Sequence, residues 1–127
     1  MNIFTLSESK RTPEVLFNIE KAQLIFNGTS LPEDVNVFFS PLYNWMETNK
    51  SIIRDEMGSL SVTINLTYFN SASLKFLISL LRYLKNLKGS EFLSINWHYD
   101  SDDEDMAETA KDISSVLTLP ISLIQRN

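Results

Sequence analysis

Cysteine is absent from these 127 residues, and glycine, proline and histidine are sparse, at three, four and one. Without cysteine there are no disulfides, no thiolate metal ligands and no cysteine nucleophile. A single histidine and three scattered glycines exclude a His-rich metal site and a glycine-rich phosphate loop. No apolar run approaches the length of a membrane span, and the opening residues show no charged leader before an apolar core. A cytoplasmic location is therefore expected. Bases are also in short supply: eleven against sixteen acids leave a net charge of −5, which argues against nucleic acid or an anionic membrane as partner. What is present is ordinary for a globular chain, 43% hydrophobic and 21% charged, and the length predicts one domain over residues 1–127 with a real core.

The most informative stretch runs from Leu60 to Lys75. Leu60, Val62, Ile64, Leu66 and Tyr68 alternate with Ser61, Thr63, Asn65 and Thr67, the period of a half-buried strand. Phe69 breaks the alternation. Asn70, Ser71, Ala72 and Ser73 then lead into Leu74, Leu77, Ile78, Leu81 and Leu84, which predicts a helix from Ser71 to about Leu87 ended by Lys88-Gly89. A strand that turns into a helix through small polar residues sets hydroxyls beside unpaired backbone N–H groups, a place that suits an anion.

Ile3, Phe4 and Leu6 can form a short edge strand, and Glu14–Asn18 with Gln23–Asn27 reads as an antiparallel hairpin ended by Gly28. Thr29 to Glu33 reads as a turn. Val35, Phe38, Phe39, Leu42, Trp45 and Met46 follow a helical period, but Pro41 interrupts it. The expected solution is a short turn over 34–39, with Ser40 as cap of a regular helix from Pro41 to about Lys50. Ser51 to Ser59 is a polar connection in which Ile52 and Ile53 can still pack. Phe92 to Tyr99 alternates again, Met106, Ala110, Ile113 and Leu117 mark a third helix, and Leu119 to Gln125 closes the chain as a strand. The fold class is α/β, order β-β-β-α-β-α-β-α-β, with neighbouring parallel strands in the second half. Polar alternate positions on both central strands place the helices mainly on one face of a mixed sheet and leave the other partly open.

Candidate sites follow from chemistry and position. Ser71 falls in a helix's first turn, where a phosphate would meet the positive end of the dipole; the competing reading is that Asn70, Ser71 and Ser73 are simply capping residues. The acidic run Asp100 to Asp105 admits a metal-binding or receiver-like reading, but it lacks the glycine and the distal glutamate of a calcium loop. Acids there also suit a helix start, or make Asp102, Asp103 and Asp105 an acidic docking patch for a basic partner. His98 stands on the polar face of its strand and is assigned no catalysis, and Trp45 and Trp97 fit apolar stripes. No enzyme constellation emerges, and no cofactor or metal is expected.

Three motifs in order carry a family resemblance: Gly28-Thr29-Ser30-Leu31-Pro32-Glu33, then Tyr68-Phe69-Asn70-Ser71-Ala72-Ser73-Leu74-Lys75, then Asn96-Trp97-His98-Tyr99-Asp100. With the Thr12-Pro13 start and the Leu119-Pro120 close, the chain resembles SiaC-type bacterial regulatory phosphoproteins over nearly its whole length. That resemblance implies a STAS-like fold, similar to the antagonists of anti-sigma factors. It implies a protein kinase that modifies a hydroxyl just after the asparagine and a PPM-type phosphatase that removes the phosphate. It further implies that the unmodified protein binds and activates a diguanylate cyclase, linking it to cyclic-di-GMP and biofilm formation; an anti-sigma factor is the alternative output. Carried onto this chain, the acceptor is Ser71, with Ser73 as fallback, and the partner surface is Asn70, Ser71, Ser73 and Lys75. The family's acceptor is threonine where this chain has serine, and Ala72 stands where a second hydroxyl is common.

Overall fold

The computed structural model describes residues 2–126. Six strands form one sheet in the order of the chain: β1 (Ile3–Leu6), β2 (Glu14–Asn18), β3 (Gln23–Ser30), β4 (Leu60–Phe69), β5 (Leu93–Asp100) and β6 (Ile121–Arg126). The first three pair antiparallel, and β3 to β6 pair parallel. The crossovers between the parallel strands carry α1 (Val35–Thr48), α2 (Ser71–Lys88) and α3 (Glu104–Leu117). Each crossover steps one strand in the same direction, so the right-handed rule puts all three helices on one face.

Burial follows that geometry. Leu60, Val62, Ile64 and Leu66 of β4 and Leu93, Ile95 and Trp97 of β5 are buried under the helices with Leu77, Leu81 and Leu84 of α2. Between them Ser61, Thr63, Asn65, Asn96 and His98 are only half-buried and Ser94 is exposed. The far face carries a polar band instead of a second helical layer. Asn27 Nδ2 donates to Glu14 Oε1 at 3.1 Å and Asn65 Nδ2 to Asn27 Oδ1 at 2.9 Å. Arg126 donates to Asn65 and, at 3.0 Å, to Asp100, so the band crosses from β2 to β6.

Three sequence expectations need correction. Gly28 does not end β3, which continues to Ser30; its φ of +109° instead takes up a bulge where one step on β3 matches two on β4. Pro41 does not start a helix but lies inside α1, whose cap is Asp34, with Oδ1 accepting from the amides of Asn36 (3.1 Å) and Val37 (3.2 Å). The proline withholds the N–H that Val37 would receive, and the Ser40 hydroxyl donates to that carbonyl instead, at 3.2 Å. The polar connection holds a π-helical turn, Ile52–Glu56, with Ile53 fully buried. Lys88 secures that turn by donating to the carbonyls of Ile53 (2.8 Å) and Met57 (2.7 Å). No helix among the described residues is long and apolar enough to cross a membrane.

Candidate functional site

The site grows out of the last residues of β4. Gly28 pairs with Leu66 and Thr29 with Tyr68, so Thr67 is the extra residue of the bulge. Its hydroxyl donates to the Gly28 carbonyl at 3.3 Å and lies 3.2 Å from the Thr29 hydroxyl. One inserted residue inverts the facing of everything after it. Phe69 therefore turns into the core, edge-on to Trp97 with centroids 6.1 Å apart, while Tyr68 is 58% exposed. This reverses the simple alternation, which had put Tyr68 on the buried face, and it explains why Phe69 broke the pattern.

Asn70 then caps α2. Its Oδ1 accepts from the Ser73 amide at 2.8 Å, and its carbonyl accepts from Leu74 at 3.0 Å. Its own amide donates to the Ser30 carbonyl at 3.1 Å. Of the four N–H groups that a helix start leaves open, those of Asn70 and Ser73 are thus paired, and those of Ser71 and Ala72 have no partner among the described residues. Ser71 and Lys75 are exposed, four residues apart on one helical face, and Lys75 forms no ion pair among the described residues. The first turn of α2 contains no acid.

Ser73 is placed differently from its neighbours and does not belong to a surface. It is 1% exposed and its Oγ lies 2.8 Å from Ser30 Oγ and 3.0 Å from the Ser30 carbonyl. Sequence reasoning read Ser30 as part of a turn and missed this contact. A signal was available for its partner: Ser73 lies on the same helical stripe as Leu77, Leu80, Leu81 and Leu84, all buried.

The acidic run is divided among structural tasks. Asp100 ends β5 and pairs with Arg126, and Asp103 caps α3 by accepting from the Met106 amide at 3.1 Å. Asp102 and Asp105 are exposed, while Asp103 is half-buried and held by its cap, so of the three acids expected at a docking patch only the first two face solvent freely. Among the described residues, no three His, Asp or Glu side chains gather as a metal site would need. Trp45 stacks obliquely on Phe4 and Phe17 at 5.8 and 5.1 Å, and Trp97 is fully buried.

A groove of about 400 Å³ runs between α1 and α2, lined by Phe39, Tyr43, Phe76 and Tyr83 among others. Phe39 and Phe76 stack at 3.9 Å, and the Tyr83 hydroxyl donates to Glu47 Oε2 at 2.5 Å. Partial burial first, then the Glu47 carboxylate and neighbouring Tyr43, push the Tyr83 phenol well above the ordinary tyrosine range.

Comparison with known proteins places this geometry. An uncharacterized protein of Pseudomonas aeruginosa (strain UCBPP-PA14) is 26% identical over 116 residues, 91% of this chain and 90% of the relative. The fold is that of SiaC of Pseudomonas aeruginosa, with TM-score 0.80 at 23% identity over 99% of this chain and 100% of that one. It also matches the crystal structure of the diguanylate cyclase SiaD in complex with its activator SiaC, with TM-score 0.79 at 23% identity over 97% of this chain and 99% of that one. At these identities the structural likeness speaks for the fold alone. Residues 6–126 match the model of the SiaC family regulatory phosphoproteins, and the chain belongs to that family.

Proposed function

We propose that the chain is a non-enzymatic cytoplasmic switch whose affinity for a diguanylate cyclase is set by reversible phosphorylation of Ser71. A protein kinase transfers a phosphoryl group from a nucleoside triphosphate, forming the O–P bond at Ser71 Oγ and releasing the nucleoside diphosphate and the hydroxyl proton. A PPM-type phosphatase hydrolyses that bond, returning the hydroxyl and inorganic phosphate. The unmodified form binds and activates the cyclase.

The observation that carries this reading is the division of labour within one turn. Asn70 is committed to its cap, Ala72 has no hydroxyl, Ser73 is buried, and within this turn Ser71 presents the exposed hydroxyl, beside two amides that have no partner among the described residues. Family membership supports the regulatory phosphoprotein role, and the complex of SiaC with the cyclase SiaD supports the class of partner. Physically, a partner that covers this turn meets a small neutral surface in the unmodified form. Phosphorylation adds about −1.5 to −2 charges there, which a docking partner must desolvate or pair.

The test is peptide mass spectrometry on protein isolated from its own host, followed by capture of a diguanylate cyclase of the same organism on each form. A phosphate confined to Ser71, with the cyclase retained by the unmodified form and lost by the modified one, is the expected result. Cyclase binding that is indifferent to the phosphate would reject the reading.

A further inference from the structure

Ser30 and Ser73 are 1% exposed, and they come from the end of β3 and the first turn of α2. Buried hydroxyls need partners for both their protons and their lone pairs. One arrangement places both protons and gives Ser73 Oγ a donor as well: Ser73 donates to the Ser30 carbonyl at 3.0 Å, and Ser30 donates to Ser73 Oγ at 2.8 Å. The same carbonyl takes the Asn70 amide at 3.1 Å. The turn that presents Ser71 is therefore fastened from both sides to a strand that precedes it by some forty residues, through bonds that are directional as apolar packing is not.

The pair is also more polar than stability alone requires, since replacing two mutually bonded buried groups by apolar ones is often nearly neutral, whereas removing one is costly. From this we infer that Ser30 and Ser73 are positioning residues for phosphoryl transfer at Ser71. Their hydroxyl pair fixes the first turn of α2 so that Ser71 Oγ is delivered to the kinase in one orientation. It also withholds the Ser73 hydroxyl, the other acceptor within the turn. The inference rests on the proposed modification of Ser71.

Three variants of the full chain test it: Ser30→Ala, Ser73→Ala and the double Ser30→Ala/Ser73→Ala. Ser73→Ala strands the Ser30 proton and is expected to melt below wild type; Ser30→Ala, which leaves Ser73 donating to the Ser30 carbonyl, is expected to lose less, and the double variant to recover most of the Ser73→Ala loss. With the kinase that phosphorylates wild-type Ser71, kcat is expected to fall about ten- to a hundredfold in Ser73→Ala and equally in the double, and by less in Ser30→Ala, with KM little changed. A purely structural role would restore kcat along with stability. A double variant phosphorylated at Ser71 as fast as wild type overturns the inference while leaving the proposed function standing. Wild-type protein that takes no phosphate at Ser71 overturns both.

Discussion

Replacing Ser71 by aspartate separates two effects that a loss-of-function variant would confuse. The residue is exposed, opens α2, and sits where the amides of Ser71 and Ala72 lack partners among the described residues and no acid occupies the first turn. A carboxylate there interacts favourably with the helix dipole by about 0.3–1 kcal/mol at low ionic strength. Asp102 and Asp105, exposed at the same end of the sheet, oppose it and pull the gain toward the lower value. A gain of this size raises the melting temperature by about 1–4 °C for a chain of this length. Binding should move the other way. A partner covering the turn must strip water from the new carboxylate, which exposed Lys75 one turn on offsets only in part, so cyclase affinity is expected to fall by tenfold or more, about 1.4 kcal/mol at least. Phosphoserine, with more charge, should exceed aspartate in both directions. Ser71→Ala is expected to keep binding, since it adds no charge. Thermal melts at low and high salt, with calorimetric titration of the cyclase, measure both quantities on one sample. An aspartate variant that melts below wild type refutes the helix-start geometry. One that melts higher yet binds unchanged refutes charge as the switch.

Asn70→Ala should cost about 1 kcal/mol in denaturant unfolding, because it strips the Ser73 amide of its acceptor, whereas Asn70→Asp keeps the cap and the stability; equal midpoints for alanine and wild type would contradict the cap. Pro41→Ala should stabilise the protein by about 1 kcal/mol or more, since an interior proline costs about 3 and the Ser40 hydroxyl returns part of that at Val37; a lower urea midpoint would show that the proline shapes α1. Ultraviolet titration should find Tyr83 ionising above the ordinary tyrosine range. A phenol with a raised folded value contributes stability that is complete below about pH 10 and lost as pH climbs toward that raised value. In Tyr83→Phe the alkaline loss should be smaller, and an identical alkaline profile would show that the Glu47 bond does not persist in solution.

The alternation of Leu60 to Leu66 and the stripe Leu77, Leu81 and Leu84 are local periodicities, so β4 and α2 could be read from sequence, and the asparagine between them as the cap. What could not be read depends on partners distant in the chain. Thr67 becomes an extra residue only because Gly28 and Thr29 lie opposite it, and nothing within β4 distinguishes Thr67 from Thr63. Tyr68 consequently looked buried and is exposed. Pro41 looked like a helix start because interior proline is disfavoured, but the compensating bond came from the residue beside it, and the Asp34 cap lay seven residues upstream. The acids around Asp103 were legible as a helix start by composition alone. The role proposed for Ser71 rests chiefly on family resemblance, whereas the burial of Ser73 depends on Ser30, 43 residues away in the chain.

The three crossover helices all begin at the edge of the sheet where the parallel strands end, and their caps differ in charge. The caps of α1 and α3 are the carboxylates Asp34 and Asp103, the latter followed by Glu104 and Asp105. Only α2 starts with a neutral cap, Asn70, and has no acid in its first turn. Two helix dipoles at this edge are thus already answered by fixed negative charge, and the middle one is not. In the proposed switch, a phosphate on Ser71 would supply the missing charge and be stabilised locally, while the acids of the neighbouring starts keep the surrounding field unfavourable to a second anion. A partner bearing carboxylates would then dock only while Ser71 is unmodified. A partner bearing arginine would gain from the phosphate instead, so the direction of output is set by the partner's charge rather than by any change of fold.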